Sequence, residues 1–543
     1  MSTFRFETIT NVEALGITGA DSLTFGTGSA RETTVLFVPG APDTVTVALG
    51  PHAVSFGAEI SAVSSASHIS FPDGSILYVG TSVSDTPPAG GAGDDAYFGG
   101  AGNDTLDAGG GANLLQGNAG NDVLRAGAGN DTIYGGQGQD QITTGDGRDF
   151  AQGNKGDDTI TGGIGSDTLL GGQGDDQIEG GGATSGSFLN GNLGNDSITS
   201  HGVCTVFGEA GDDTLNSRSG WDSLSGGPGD DVITGGGAET ISGDDGNDNL
   251  RVTGNDNLVS GGVGDDTIQV DLNNNTVSGD AGADRILDYG GFNVLDGGDG
   301  NDVINYQAQD ASGRVWDKFF GGNGDDIIFD FGHGSDTVDG GPGNDEIHAD
   351  RGGLKLILGG DGDDHIYVGS DSMTTFGGAG DDFIVDTTSV WSSEIHGGSG
   401  NDFIRIGAQD TAFGDDGNDT FEVGGSVVGA VLQGGAGADV FKFTAGMNET
   451  RVVATITDWE SQDHIQLQNM QTVTYHTATA VDLASAITQA SNMFFQGQAN
   501  VVGVQIGGDA YLFVAGSDSR PGVILELTGR AATDIGAGTF ILS

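Results

Sequence analysis

Between Gly99 and Lys442 the chain repeats one nine-residue phrase, Gly-x-x-Gly-x-Asp-x-apolar-x, nineteen times, and every copy keeps both glycines and the aspartate. The copies begin at Gly99, Gly117, Gly135, Gly153, Gly171, Gly191, Gly208, Gly226, Gly243, Gly261, Gly279, Gly297, Gly321, Gly340, Gly359, Gly377, Gly397, Gly414 and Gly434. Their spacing is 17 to 20 residues, with a single step of 24. Such a repeat cannot bury its apolar face alone and must stack on its neighbours. The expected fold is all-β: a long right-handed parallel β-roll solenoid, with an N-terminal β domain and a mostly β C-terminal domain carrying one helix.

The apolar eighth residue turns inward. Leu106, Leu124, Ile142, Ile160, Ile178 and Ile198 continue through Ile366, Ile384, Ile404 and Phe421, a column suited to a thin core between two parallel sheets. In the first third a second series, starting at Gly90, Ala108, Ala126, Thr144 and Gly162, fills the gaps, so that two units make an 18-residue coil with two similar edges. Beyond Gly180 the second edge decays: Gly180 to Asn190, Ser200 to Phe207 and Gly235 to Ser242 lose the pattern, and Ser217 to Ser225 keeps only Gly220, Asp222 and Leu224. There Asn257, Asn275 and Asn293 stand at the aspartate position, 18 apart. They read as a stacked ladder of side-chain amides or as ordinary turn asparagines.

The phrase resembles the RTX (repeats-in-toxin) calcium-binding nonapeptide. The resemblance implies calcium, and the residue types suit it. Glycine adopts the positive-φ, close-packed turns that bring carbonyl oxygens to a cation, and calcium takes six to eight hard oxygen ligands, which aspartate completes. The implied ligand set on the second edge is Gly90, Gly93, Asp95, Asp131, Asp149 and Asp167. On the long edge it is Gly99, Gly102, Asp104, Gly117, Gly120, Asp122, Gly135, Gly138, Asp140, Gly153, Gly156, Asp158, Gly171, Gly174 and Asp176. Asp196, Asp213, Asp231, Asp248, Asp266, Asp284, Asp302, Asp326, Asp345, Asp364, Asp382, Asp402, Asp419 and Asp439 follow on the same edge.

A formal charge of −61, from 78 acidic and 17 basic residues, argues against nucleic acid or an anionic membrane as partner. On the order of 20 Ca²⁺ ions would cancel about 40 charges and leave an acidic, soluble surface. The single cysteine, Cys204, lies beside Val203 and Val206 and is expected to point inward. The start MSTFRFETITNVEAL lacks the charged and apolar regions of a Sec-type signal, and no run of 18 apolar residues occurs, so no membrane span is expected.

Three regions are expected: 1–86, an N-terminal β domain for assembly or anchoring; 87–442, the calcium-binding roll; and 443–543, a C-terminal capping and type I secretion region. Short alternating runs at Ser22–Phe25, Thr44–Leu49, Ala53–Phe56 and Ser75–Val79 mark the first as a β-sandwich. In the last, Val481 to Phe494 has helical spacing, and strand-like runs follow at Val501–Ile506, Tyr511–Val514 and Val523–Leu527. Ile456-Thr457-Asp458-Trp459 and Asp463-His464-Ile465-Gln466-Leu467 look like the segments that close RTX rolls, with Trp459 in place of the usual phenylalanine. The apolar terminus Thr539-Phe540-Ile541-Leu542-Ser543 resembles uncleaved signals read by type I exporters.

RTX rolls are often attached to enzymes, but this chain has no His-Glu-x-x-His, no Gly-x-Ser-x-Gly and no phosphate loop ending in Gly-Lys-Ser/Thr. His348, His365 and His396 recur on successive coils and are expected to sit outward. The expected function is that of a secreted, extracellular or cell-surface calcium-dependent structural protein. It would fold outside the cell and self-assemble as a homo-oligomer or lattice, in the manner of surface-layer (S-layer) or biofilm-matrix RTX proteins. Two alternatives stand beside it: an adhesin or carbohydrate-binding protein that reads cell-surface polysaccharide with the roll as stalk, and an extracellular enzyme with an unrecognised site. Ile327, Phe329, His365, Tyr367, Phe383, Val385, Phe403 and Arg405 flank the inward column and are expected to form an outer apolar stripe, serving as a subunit contact or covered by the C-terminal region or by the insertion from Tyr306 to Phe320 with Trp316.

Overall fold

The computed structural model describes residues 2–38, 44–65, 69–182, 186–218, 220–306, 316–349, 353–369, 372–386, 392–424, 427–444, 451–468, 470, 472–516 and 520–542. Contacts divide the chain into two compact units, Met1–Asp266 and Thr267–Ser543.

The first unit opens with two small sheets. Thr3–Arg5, Ser22–Thr24 and Ile69–Ser70 run parallel, and Thr33–Val38, Thr44–Leu49 and His52–Gly57 form an antiparallel meander. Two short helices, Asn11–Ala14 and Ile60–Ser65, join them, which the alternation of apolar residues did not announce. Phe6, Leu23, Val47, Phe56 and Ile60 make one core with Val79 and with Ala96 and Phe98 of the strand paired to it.

Coils follow. Strands Ala96–Ala101, Leu114–Ala119, Thr132–Gln137, Phe150–Lys155 and Thr168–Gln173 pair in parallel, so that Leu115, Ile133, Ala151 and Leu169 fall into one buried column. Thr105–Asp107, Val123–Ala128, Gln141–Asp146, Thr159–Thr161 and Gln177–Glu179 form the other sheet, with Leu106, Leu124, Ile142, Ile160 and Ile178 as its column. Each leucine or isoleucine of these columns contributes about 1.5–3 kcal/mol by leaving water. Cys204 starts the strand Cys204–Ala210 and is buried. The residue after the first glycine of each phrase in this unit, inside the strand, takes a left-handed conformation. Gly100 and Gly136 supply it at φ +101 and +123, and Asn118 and Asn154 take the same position at +76 and +79, as asparagine can.

The second unit repeats the plan. Strands Thr276–Ala281, Val294–Asp299, Lys318–Asn323, Thr337–Pro342 and Leu356–Asp361 lie in one sheet, and Arg285–Asp288, Val303–Tyr306, Ile327–Asp330, Glu346–Ala349 and His365–Val368 in the other. At its end, helix Leu483–Phe495 is capped by the Asp482 side chain, which accepts from Ser485 N. Ala486, Ala490 and Phe494 pack on Val502, Val504, Phe513 and Ile524 of the sheet formed by Val501–Ile506, Asp509–Ala515 and Pro521–Leu527. Phe540–Leu542 adds in parallel to His464–Gln468. Among the described residues no helix is long and apolar enough to cross a membrane.

The outer stripe of this unit is aromatic but not uniformly apolar. Phe329, His348 and Tyr367 stack at centroid distances of 5.0 and 4.7 Å, and Phe383 stacks on Phe403 at 4.9 Å. Glu346 and the Arg405–Glu422 ion pair of 2.7 Å interrupt it, because successive coils place whatever residue they carry in the same column. His396 stacks between Phe376 and Phe413 on the opposite sheet. Residues 307–315 of the insertion lie outside the described residues, and Trp316, 66% exposed, packs edge-on against Phe292.

Candidate metal centres along the two edges

On the long edge each repeat aspartate divides its two oxygens between two tasks. Oδ1 accepts the backbone N–H of the repeat aspartate one coil earlier. Asp104 donates to Asp122 at 2.7 Å, Asp122 to Asp140 at 2.8 Å and Asp140 to Asp158 at 2.7 Å, and the ladder runs on through Asp176, Asp196, Asp213, Asp231 and Asp248 to Asp266. In the second unit it runs from Asp284 through Asp302, Asp326, Asp345, Asp364, Asp382, Asp402 and Asp419 to Asp439 at 2.7 to 2.9 Å. It ends where Asp439 donates to Asp463 at 3.2 Å, while the Asp458 carboxylate accepts from Gly434 and Gly435. The two closing motifs thus cap the last repeat.

The second oxygen has no such partner. Oδ2 of Asp104, Asp122, Asp140, Asp158, Asp176, Asp196, Asp213, Asp231 and Asp248, and of Asp302 through Asp439 on the same edge, is buried without a hydrogen bond. A buried acceptor left unmade costs about 1–3 kcal/mol, more when charged. The first glycine of the phrase explains where the oxygen sits: a Cβ on Gly117 would collide with Asp122 Oδ2 and with the carbonyl oxygen of Gly135 in the next coil. Carboxylate and carbonyl oxygens therefore face the same point with no hydrogen between them. That arrangement repels unless a cation lies there, and hard oxygens of this kind suit calcium. Gly102, Gly120, Gly138, Gly156 and Gly174 close the turn at positive φ, each against the backbone of the preceding coil.

Burial pushes these carboxyls up, against the lowering effect of the accepted amide, and neighbouring aspartates push further. Asp104, Asp140 and Asp213 rise to about 7, and Asp176 and Asp364 to about 8.

On the second edge of the first unit, Asn113 donates to Asp131 Oδ1 at 2.6 Å, Asp131 to Asp149 at 2.8 Å and Asp149 to Asp167 at 3.0 Å, and all three aspartates have a buried Oδ2 without a partner. Asp95 differs. Its Oδ1 accepts from Ile76 and its Oδ2 from Gly91, so neither oxygen is left over, and Gly93 lies against Ser75 rather than another repeat.

Farther along, the residue type changes while the bond persists. Cys204 donates to Asp222 Oδ1 at 2.6 Å, Glu239 to Asn257 Oδ1 at 2.8 Å and Asn275 to Asn293 Oδ1 at 2.7 Å. Asn257 and Asn293 are thus neither a ladder of side-chain amides nor idle turn residues; their oxygen does what Oδ1 of aspartate does. The spare amide group of Asn293 donates to both oxygens of the buried Asp288, at 2.9 and 3.0 Å.

A second ladder on the long edge escaped the sequence reading. The residue before each repeat aspartate is Asn or Asp in sixteen of nineteen copies. Its side-chain oxygen accepts from the backbone N–H one coil later: Asn121 N to Asn103, Asn195 N to Asp175, Asp363 N to Asn344 and Asn401 N to Asp381, at 2.6 to 2.9 Å. This ladder runs opposite to the buried one and is exposed. The signal was its composition. The reading also missed Asp317 and Asp336 on the second edge, because the 24-residue step broke the spacing that would have found them.

The RTX calcium-binding nonapeptide repeat (4 copies) family matches at residues 89–106, 107–142, 116–151, 143–178, 205–233, 233–268, 278–310, 332–353, 356–384 and 393–410. No curated protein sequence matches the chain. Among solved structures, a hyperactive, Ca²⁺-dependent, β-helical antifreeze protein from an Antarctic bacterium is 16% identical, with 79% of this chain and 95% of that chain covered at a TM-score of 0.24. The extracellular lipase LipA of Serratia marcescens is 14% identical, with 54% and 40% covered and a TM-score of 0.13. Repeat phrase, coil geometry and family match agree, and the chain is a calcium-binding protein built on RTX nonapeptide repeats.

Proposed function

We propose that this chain is a secreted structural protein whose repeats wind when they meet extracellular calcium and then serve as a building block of a surface layer or extracellular matrix. The observation that carries the reading is the long edge, where buried carboxylate oxygens face carbonyl oxygens and need a divalent cation to coexist. Sites of extracellular affinity, with Kd of roughly 10⁻⁴ to 10⁻³ M, stay empty at cytosolic calcium, which keeps an acidic chain unwound and exportable. Asp131, Asp149 and Asp167 on one edge and Asp104 to Asp439 on the other would hold on the order of 20 ions. Residues 1–86 would anchor or assemble. Residues 443–543 would cap the roll, a role supported by the bonds of Asp458 and Asp463, and would carry the signal for a type I exporter. The stacked rings from Phe329 to Phe403 would supply a contact between copies of the chain. Electron microscopy of the purified protein with calcium and with EGTA tests this: filaments or a lattice only with calcium are expected, and dispersed particles in both conditions would overturn the assembly.

One observation favours a second reading, an adhesin. A cleft of about 420 Å³ in the second unit is acidic, but one of about 590 Å³ in the first unit is bordered by Leu36, Phe37, Thr44, Thr81, Gln116 and Asn118, with no charged side chain among its described residues. An uncharged cleft with amide and hydroxyl groups beside an aromatic ring suits a neutral saccharide. Binding on an array of neutral glycans, lost in Gln116→Ala, would favour this reading over the first.

A further inference from the structure

In the second unit the second-edge position that holds Asn293, Asp317 and Asp336 in successive coils is occupied in the next coil by Lys355. Its side chain is fully buried, as are those of Asp330 and Asp336. The ammonium lies 2.6 Å from Asp330 Oδ2 and 3.6 Å from Asp336 Oδ2, and donates to the carbonyl oxygens of Gly332 at 3.1 Å and Asp330 at 3.4 Å. Two carboxylates and two carbonyls form the kind of oxygen shell that a hard cation takes elsewhere on the edges.

The backbone here is that of a repeat. Gly353, at φ +123, packs against the Gly334 carbonyl of the preceding coil, as the repeat glycines do, so the coil keeps its turn and changes only the residue that would supply a ligand. A lysine in place of an aspartate reverses the local charge. It would be untenable if buried alone, and it is stable because two carboxylates surround it. Asp317, one coil before Asp336, is also buried, and the same Oδ1 ladder as on the long edge reaches Asp336: Asn293 N donates to Asp317 at 2.8 Å and Asp317 N to Asp336 at 2.9 Å.

We propose that this is a cation site whose ion is supplied by the chain itself: the Lys355 ammonium takes the position that calcium takes on the long edge, so the second edge from Asp317 to Leu356 stays closed when calcium is absent. The proposal rests on the calcium-dependent winding proposed above. It gives one molecule two kinds of edge in the same coils, one opened by chelation and one held by a tethered ion.

Hydrogen exchange of the full-length protein, with calcium and then with EGTA, tests it without mutation. Thr337 N and Leu356 N donate across the lysine edge to Asp317 O and Asp336 O, at 3.0 and 3.1 Å; Glu346 N and His365 N donate across the long edge of the same coils to Asp326 O and Asp345 O, at 2.8 and 2.7 Å. In EGTA the second pair is expected to exchange at least about tenfold faster than the first. Equal loss of protection at both pairs overturns the lysine proposal and leaves calcium-dependent winding standing, whereas unchanged protection at both pairs overturns the winding itself. Lys355→Met is expected to abolish the difference between the edges in EGTA, and a difference that survives overturns the proposal. Lys355→Asp, which restores the repeat residue, is expected to raise bound calcium, measured by atomic emission, by about one ion per chain. An unchanged count overturns the claim that ammonium and calcium share one position.

Discussion

The long edge and the second edge are built from the same turn and the same hydrogen bond, yet they treat charge in opposite ways. On the long edge every coil from Asp104 to Asp439 presents an aspartate. On the second edge of the second unit the same register carries Asn275, Asn293, Asp317, Asp336 and Lys355. The comparison separates two roles that aspartate combines. Holding the coil spacing needs only an oxygen that accepts an amide, which asparagine supplies as well. Holding a cation needs the second, charged oxygen. An edge can therefore keep its geometry while giving up its metal, provided that the buried charge is removed, as at Asn293, or countered from within, as at Lys355.

The largest expected effect that would test this contrast is calcium removal. EGTA should abolish most of the β signal in far-UV circular dichroism, because the long edge in both units loses its counter-charge at every coil. Retention of the full signal after metal removal, verified by elemental analysis, would erase the distinction between the edges.

A reciprocal exchange sharpens it. Asp364→Asn keeps the oxygen that accepts from Asp345 N but discards the charge, so with calcium it should cost about 1–3 kcal/mol and without calcium it should relieve repulsion. Asn275→Asp puts a carboxylate where the amide now donates to Leu272 O at 2.9 Å, and should make that coil newly sensitive to chelation. Calcium titrations followed by circular dichroism that moved both variants in the same direction would contradict the division of roles.

The proton should act as a weak substitute for calcium on the long edge. Burial raises the carboxyls of Asp158 and Asp302 to about 6, of Asp104 and Asp402 to about 7 and of Asp176 to about 8. A group whose folded value lies above its unfolded value adds stability fully below the unfolded value, about 4, and loses it as pH rises through the folded value. In EGTA, β content should therefore grow as pH falls from 8 toward 5. With calcium the direction should reverse, since protons displace the ion. A pH-independent signal in EGTA would show that the carboxyls are not buried as a folded edge requires.

The smallest effect on stability is expected at the outer stripe. Phe383→Ser with Phe403→Ser removes one stacked pair, worth about 0.5–1.5 kcal/mol beyond its buried area. The calcium midpoint should shift little, while calcium-induced association seen by light scattering should disappear. Normal association would assign the stripe to the single chain.

The coils were legible because their residues have few substitutes. Glycine alone tolerates the close approach of Asp122 Oδ2 to Gly117, and the inward Leu or Ile recurs at a fixed place. Helix Leu483–Phe495 was found within two residues at its start because its apolar spacing is helical. The helices Asn11–Ala14 and Ile60–Ser65 were not, since four to six residues are too few to show a period. The second edge faded from view because one accepting oxygen can come from Asp, Asn or Ser, as at Asp167, whose N–H meets Ser187 Oγ at 3.1 Å. Lys355 was invisible for the opposite reason: only the register shows that it stands where an aspartate would.

The exposed Asn/Asp ladder and the buried aspartate ladder act as two rails that join coil to coil, and only the buried one depends on metal. The exposed rail has gaps. Gln139 turns its side chain to donate to Asp157 Oδ2 at 2.9 Å, and Ala283 offers no side-chain oxygen to Asn301. A chain pulled along its coils would share the load among the sheet hydrogen bonds and both rails at most steps, and lean more on the buried rail where the exposed one is broken. Ambient calcium would then set the mechanical strength of the protein step by step, and a fall in calcium would choose in advance where it tears.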